Sequence, residues 1–370
     1  MNKQNKNYIF SFDLIRAFAI LGVVAIHVFL PIYTRPDFLA GISWWFAYSV
    51  NAISRSAVPL FIMVSGALLL NKKQKNQIKD SLNRAVFRVG IPLLFWSFTY
   101  FNWELFYFER RTSLISAIST FFSADVFHLY FLIIIFNLYL FTPIFKTYIK
   151  NSSQILKKYI IFLTLLIGFL IYFLQYFVFK GKNILNFFTI WIPYLGYFLA
   201  GDYLNKLKIK SKQFYLLSLV FIISLIFTIL FGYFNLKLFS QNIMTFWGMG
   251  GSEYFTQFLS LNVIIMSLLA FVLLTKTNLS KFFEKNIYLN KIIKNIAKTS
   301  FGVYLIHIII IGLLDKYFGF AIHNIGSKLW LYGMEKMLIV FTVSWTITHI
   351  AIKIPVIKML FGEKEKLIKY

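Results

Sequence analysis

The chain contains no cysteine and only seven prolines in 370 residues, and its acids number 13 against 38 lysines and arginines. Without cysteine there can be no disulfide framework, thiolate metal site or cysteinyl thioester intermediate. The histidines occur singly, without an i,i+4 pair or an HExxH arrangement, so no metal site is expected. Gly-rich phosphate loops and the GxSxG nucleophile signature are missing as well. Low-complexity segments, internal repeats and a polar linker are also lacking, so residues 1–370 read as a single domain.

Apolar residues make up 59% of the chain, aromatic residues account for 20%, and the mean hydropathy is +0.71. Such a composition exceeds the needs of a soluble core and marks an all-α polytopic membrane protein. Apolar runs near 10–31, 44–70, 88–107, 126–145, 159–179, 187–204, 214–235, 257–275, 299–315 and 337–354 predict about ten spans across a hydrocarbon core of roughly 30 Å. The first run carries Arg16 and no small-residue cleavage site, so it is expected to stay as a span and not be removed as a signal peptide.

The net charge of +25 does not indicate nucleic acid, because the basic residues sit in short connections between apolar runs. With the N-terminus in the cytoplasm, 27 of them fall on that side and 9 on the other, leaving Arg16 and Arg55 inside spans. That asymmetry predicts cytoplasmic termini and a basic cytoplasmic tail over 355–370.

Ionisable groups inside spans are costly and usually functional. In the first span, ten residues separate Arg16 from His27. Eleven helical steps of about 100° bring both to one face, about 16 Å apart along the axis. Asp13, one turn before Arg16, can pair with it at i,i+3. Arg55 lies near the middle of span two, where it either pairs with Asp13 or a helix carbonyl, or lines a polar cavity. One cavity shared by His27, Arg16 and Arg55 is the expectation. Ser65 and Gly66 read as small residues at a helix contact.

Arg84 and Arg88 precede Ile91-Pro92 on adjacent turns, and serve either topology alone or a phosphate clamp. His128 opens span four at its outer end, and His307 lies deep in span nine. Neither His323 nor His349 carries an assignment. Glu104, Glu109, Asp125, Glu253 and Asp315 lie on or near the outer side, and the sequence does not choose among them as acceptor contacts.

Taken in order, these elements resemble the membrane-bound acyltransferase-3 family. The resemblance rests on Asp13–Arg16–(ten residues)–His27, Arg55 with Val58-Pro59-Leu60-Phe61 and Ser65-Gly66, and Arg84-x-x-x-Arg88-x-x-Ile91-Pro92. It continues through His128-Leu129-Tyr130-Phe131-Leu132, Leu138-Tyr139-Leu140-Phe141-Thr142-Pro143, Tyr197-Phe198-Leu199-Ala200-Gly201 and Ser300-Phe301-Gly302-Val303-Tyr304-Leu305-Ile306-His307. The match covers roughly residues 10 to 355 and is nearest to the short members without an esterase-like domain. It departs from the pattern at Tyr130, where the family often has Trp, and at Ala67, where an aromatic is common. Both departures leave the acceptor open.

The resemblance implies an O-acyltransferase, most simply an O-acetyltransferase, of a bacterial inner or plasma membrane. It would move an acyl group from cytoplasmic acyl-CoA to a hydroxyl of a cell-envelope polysaccharide or glycolipid, with no permanently bound cofactor. His27 would then be general base or acyl carrier, with Arg16 and Asp13 as catalytic partners. Arg55, Arg84 and Arg88 would serve acyl-CoA, or an arginine a developing oxyanion, while His128, Tyr130, Ser65, His307 and Tyr304 would contact the acceptor. The alternative is an exporter of a glycan or lipid-linked sugar, with the buried charges lining its path. The acyl chain, the acceptor and the oligomeric state are not specified at this level.

Overall fold

The computed structural model describes residues 10–71, 76–107, 113–124, 127–240, 254–277, 279–321 and 328–363. Every regular element among them is helical. In chain order the helices are α1 (Phe10–Tyr33), α2 (Ile42–Ser54), α3 (Ala57–Asn71), α4 (Gln77–Arg84), α5 (Ile91–Tyr107), α6 (Leu114–Phe122), α7 (Tyr130–Asn151) and α8 (Gln154–Phe177). They continue with α9 (Leu195–Lys206), α10 (Ser211–Ser240), α11 (Leu261–Lys276), α12 (Leu279–Lys285), α13 (Ile287–Tyr317), α14 (Leu329–Ala351) and α15 (Ile357–Leu360).

Seven segments among the described residues are long and apolar enough to cross a membrane. The chain is therefore a multi-pass helical membrane protein. The remaining expected spans coincide with α5, α9 and α14, of which α9 differs most from expectation. It has 12 residues, about 18 Å at 1.5 Å each, short of a hydrocarbon core. Pro193 and the 3₁₀ turn Ile192–Tyr194 open it, so the helix begins at Leu195, not near 187. Irregular backbone is tolerated at such depth only inside protein, and Tyr194, Tyr197 and Phe198 are completely buried.

Helix α1 is the hub, packed on α2, α3, α11, α13 and α14. By contrast few residues of α8 and α10 are fully buried, and both helices present rows of large apolar side chains, including Phe162, Leu166, Leu219 and Ile223. In a bilayer those rows face lipid.

Two prolines explain the two breaks that matter. Pro59 lacks the N–H that Arg55 C=O would accept four residues earlier, and its ring crowds that carbonyl. The second expected span accordingly splits at Arg55-Ser56 into α2 and α3. Pro92 does the same to Arg88, and residues Ala85–Gly90 form a π-helical turn in which the N–H of Ile91 reaches Val86 O. Each break falls on an arginine already singled out by sequence.

Helices α3 and α9 cross at backbone contact. A Cβ on Gly66 would lie 1.8 Å from Phe198 O, and one on Gly201 2.0 Å from Met63 O. The small residues thus meet reciprocally, as expected for close helix approach in a membrane. Gly66→Ala is expected to cost about 3 kcal/mol or more, because a carbonyl oxygen cannot rotate aside as a side chain can. Monodisperse extraction and thermal stability in detergent would read this, and wild-type behaviour would refute the crossing.

Candidate active site

Among the described residues, two polar cavities lie one above the other along α1. The first has a volume of about 370 Å³ and is lined by His27, Arg55, His128 and Tyr130, with Tyr172, Gln175, Tyr176, Asn183, Tyr194 and Gln257 among its other polar residues. The second, about 380 Å³, is lined by Asp13, Arg16, Ser65, Arg88, Tyr139, Lys294, Lys298 and Ser300, together with Phe361, Gly362 and Glu363. We call them the histidine cavity and the arginine cavity.

This arrangement corrects the expectation of a single polar cavity. His27 and Arg55 share the histidine cavity, whereas Arg16 opens into the arginine cavity. Both side chains do lie on one stripe of α1, but the helical rise of about 16 Å between them puts them in different cavities. Asp13 holds Arg16 as the spacing predicts, with Nη1 of Arg16 3.2 Å from Oδ1 of Asp13.

Arg55 sits at the break between α2 and α3 and is only 8% exposed. Its Nε donates to Oδ1 of Asn51 at 2.9 Å, and its Nη2 donates to the Tyr33 hydroxyl at 3.1 Å. The guanidinium also lies 5.6 Å from the Phe258 ring centroid. Neither Asp13 nor a helix carbonyl takes it among these contacts. It is the one cation among the residues that line the histidine cavity.

The tertiary structure brings together three histidines that sequence leaves 101 and 179 positions apart. The ring of His27 is 5.2 Å from that of His307 and 6.3 Å from that of His128, and the latter two are 5.4 Å apart. His307 is fully buried behind the cavity wall, and its Nδ1 lies 2.7 Å from the carbonyl oxygen of Tyr304. A carbonyl only accepts, so Nδ1 carries the proton and Nε2 is the acceptor. That Nε2 has no hydrogen-bond partner among the described residues. No group of three His, Asp or Glu with metal-binding geometry occurs among them.

Other assignments redistribute. Ser65 faces the arginine cavity, away from the histidines with which the resemblance grouped it. Arg55 lies in the cavity opposite to that of Arg88, so these two cannot hold one set of phosphates. Arg88 lines the arginine cavity, but Arg84 does not, although one of its terminal nitrogens is buried without a hydrogen-bond partner among the described residues. Tyr304 borders both cavities.

Of the carboxylates expected on the outer side, Asp315 is taken by Lys336 of α14 at 2.5 Å, and neither it nor Glu104 lines the histidine cavity. Glu109, Asp125, Glu253 and His323 lie outside the described residues. His349 pairs through Nδ1 with Nδ2 of Asn295 at 3.2 Å, apart from both cavities.

Sequence reasoning missed two features. Tyr172, Gln175 and Tyr176 line the histidine cavity from the end of α8. Their i, i+3, i+4 spacing on an otherwise apolar span was a readable signal of a polar face. Lys294 and Lys298, at i,i+4 on α13, were counted as topology charges but line the arginine cavity. The tail is also more than a basic extension. Leu360 O accepts from Nε1 of Trp96 at 2.9 Å, and the Phe361 ring packs 5.6 Å from that of Trp96, so Phe361–Glu363 is held against the cavity.

Comparison with known families matches residues 9–349 to the acyltransferase domain of the acyltransferase-3 family. No curated protein and no solved structure matches the chain.

Proposed function

Because the chain belongs to the acyltransferase-3 family, and is thus a membrane-embedded acyltransferase, we propose that it uses acyl-CoA, most simply acetyl-CoA, as donor and a hydroxyl of a cell-envelope polysaccharide or glycolipid as acceptor. The carrying observation is the division of labour between the cavities. Arg16, Arg88, Lys294 and Lys298 surround one, against Asp13 and Glu363, and that excess of cations suits the phosphates of coenzyme A. Imidazole, tyrosine hydroxyl and amide groups surround the other, and these suit a polyhydroxyl acceptor.

In this reading the donor enters from the cytoplasm with its phosphates at the basic cavity and its thioester directed along α1. His27 removes the proton from the acceptor hydroxyl as that oxygen attacks the thioester carbon. Arg55, held rigidly by Asn51 and Tyr33, faces the oxyanion that forms. The C–S bond then breaks, the new C–O bond remains, and the proton passes from His27 to the departing thiolate. The ring of His307 packs against His27 from behind, 5.2 Å between centroids. The enzyme is placed in a bacterial cell membrane with both termini in the cytoplasm, in keeping with the charge asymmetry. Two cavities that abut without merging favour group transfer over passage of a whole glycan.

The donor site is tested by separating its two arginines. Arg88→Ala is expected to weaken acetyl-CoA binding about 10- to 150-fold, the equivalent of one charge-assisted contact of about 1.5–3 kcal/mol. Arg84→Ala is expected to leave affinity near wild type, because Arg84 does not line the cavity. Calorimetry on purified protein reads both, and unchanged affinity in Arg88→Ala would remove the basic cavity from the donor site.

A further inference from the structure

The histidine and arginine cavities have only two lining residues in common, Tyr304 and Phe131. We propose that these two rings form a fixed septum that sets the acyl chain length of the enzyme: the thioester is presented at the rings, and only the shortest acyl groups fit between them and His27. The proposal rests on the acyl-CoA reading above and adds the residues that determine donor specificity.

The septum is held from several directions. Tyr304 and Phe131 are 4% and 7% exposed, and their rings meet edge to face with centroids 5.4 Å apart. The Tyr304 hydroxyl donates to the carbonyl oxygen of His128. At its other end, the Tyr304 carbonyl accepts from Nδ1 of His307. Phe131 follows His128 by three residues, so the turn that presents His128 also positions this ring. On the arginine side Phe61 packs against Phe131 with centroids 6.1 Å apart. A ring pinned in this way between α13 and α7 is part of the packed core, not a swinging side chain.

The chemistry gives the septum its consequence. Attack requires the acyl carbonyl within about 3–3.5 Å of the acceptor oxygen beside His27. The thioester must therefore reach the histidine side while the coenzyme A phosphates stay with Arg88 and the lysines. Acyl carbons beyond the carbonyl need space at or past the two rings, and close-packed aromatic walls yield little. One methylene of misfit is expected to cost about 10- to 200-fold in turnover.

The test measures free thiol release from acetyl-, propionyl-, butyryl- and hexanoyl-CoA by purified protein in detergent, with water as the accepting nucleophile. A thiol reagent is clean here, because the chain has no cysteine. Phe131→Ala is expected to raise the butyryl-to-acetyl turnover ratio at least tenfold, and Tyr304→Phe, which keeps the ring but removes its anchor, by a smaller factor. Phe131→Leu stands in if the alanine variant does not extract as a monodisperse protein. Variants that process acetyl-CoA with the wild-type chain-length profile would overturn the septum and leave the donor reading intact. No binding of acetyl-CoA to the wild-type protein by calorimetry would instead overturn the donor reading.

A second measurement does not depend on activity. Ser65→Cys places a thiol in the arginine cavity. In intact cells it is expected to resist an external quaternary-ammonium methanethiosulfonate, and to react once Phe131→Ala is added. Equal labelling, or equal protection, in the two backgrounds would show that the rings do not separate the compartments.

Discussion

His27→Gln is expected to insert, extract as a monodisperse protein and bind acetyl-CoA as the wild type does, while acyl transfer falls about 100- to 10,000-fold, the usual contribution of a positioned general base. Glutamine keeps an amide that can donate and accept hydrogen bonds, so packing against His307 and His128 is preserved as far as one substitution allows. It cannot exchange a proton near neutral pH. His27 lines the cavity, and its ring is 5.2 Å from that of His307. A purely structural histidine would make the variant unstable and not selectively inactive. Turnover close to wild type would end the assignment of His27 as base. Comparison with His307→Gln sharpens the result: His307 does not line the cavity, so its loss is expected to be the smaller and to alter the pH profile of turnover.

The next largest effect is expected at Arg55. Arg55→Gln should lower kcat about 100- to 1,000-fold, the range seen when one oxyanion donor is removed, with KM for acetyl-CoA nearly unchanged. The reason is geometric. Arg55 borders the histidine cavity, its Nε and Nη2 are engaged by Asn51 and Tyr33, and the ring of Phe258 lies alongside. Arg88→Ala should give the opposite pattern, a raised KM with the chemical step retained. Arg55→Lys is expected to recover little, because an ammonium cannot reproduce two fixed anchors and still present a donor. A change confined to KM in Arg55→Gln would move this arginine back to the donor site.

The helical membrane character of the chain was legible because hydropathy and loop charge act locally and additively along it. The costly residues in spans were legible for a similar reason: Asp13, Arg16, His27 and Arg55 each stand alone in an apolar run, and a helix fixes their relative faces by counting. The i,i+3 contact of Asp13 with Arg16 followed directly from that count. The breaks at Arg55 and Arg88 could also have been read, from Pro59 and Pro92 four residues on.

The partition into two cavities was not legible, since it depends on how α13 packs against α1 and α7 against α3. His27, His128 and His307 come within about 6 Å only through that packing, and Tyr304 becomes a wall only because Phe131 arrives from another helix. Lys294 and Lys298 carry the same charge as any residue at a membrane edge, and only the fold separates a cavity lining from a topology signal. Sequence thus determined what this protein had to bury and on which helix face each costly group would lie. Tertiary structure alone decided which of those groups would meet, because contacts between helices depend on crossing geometry such as that of Gly66 and Gly201, which no periodicity along one chain encodes.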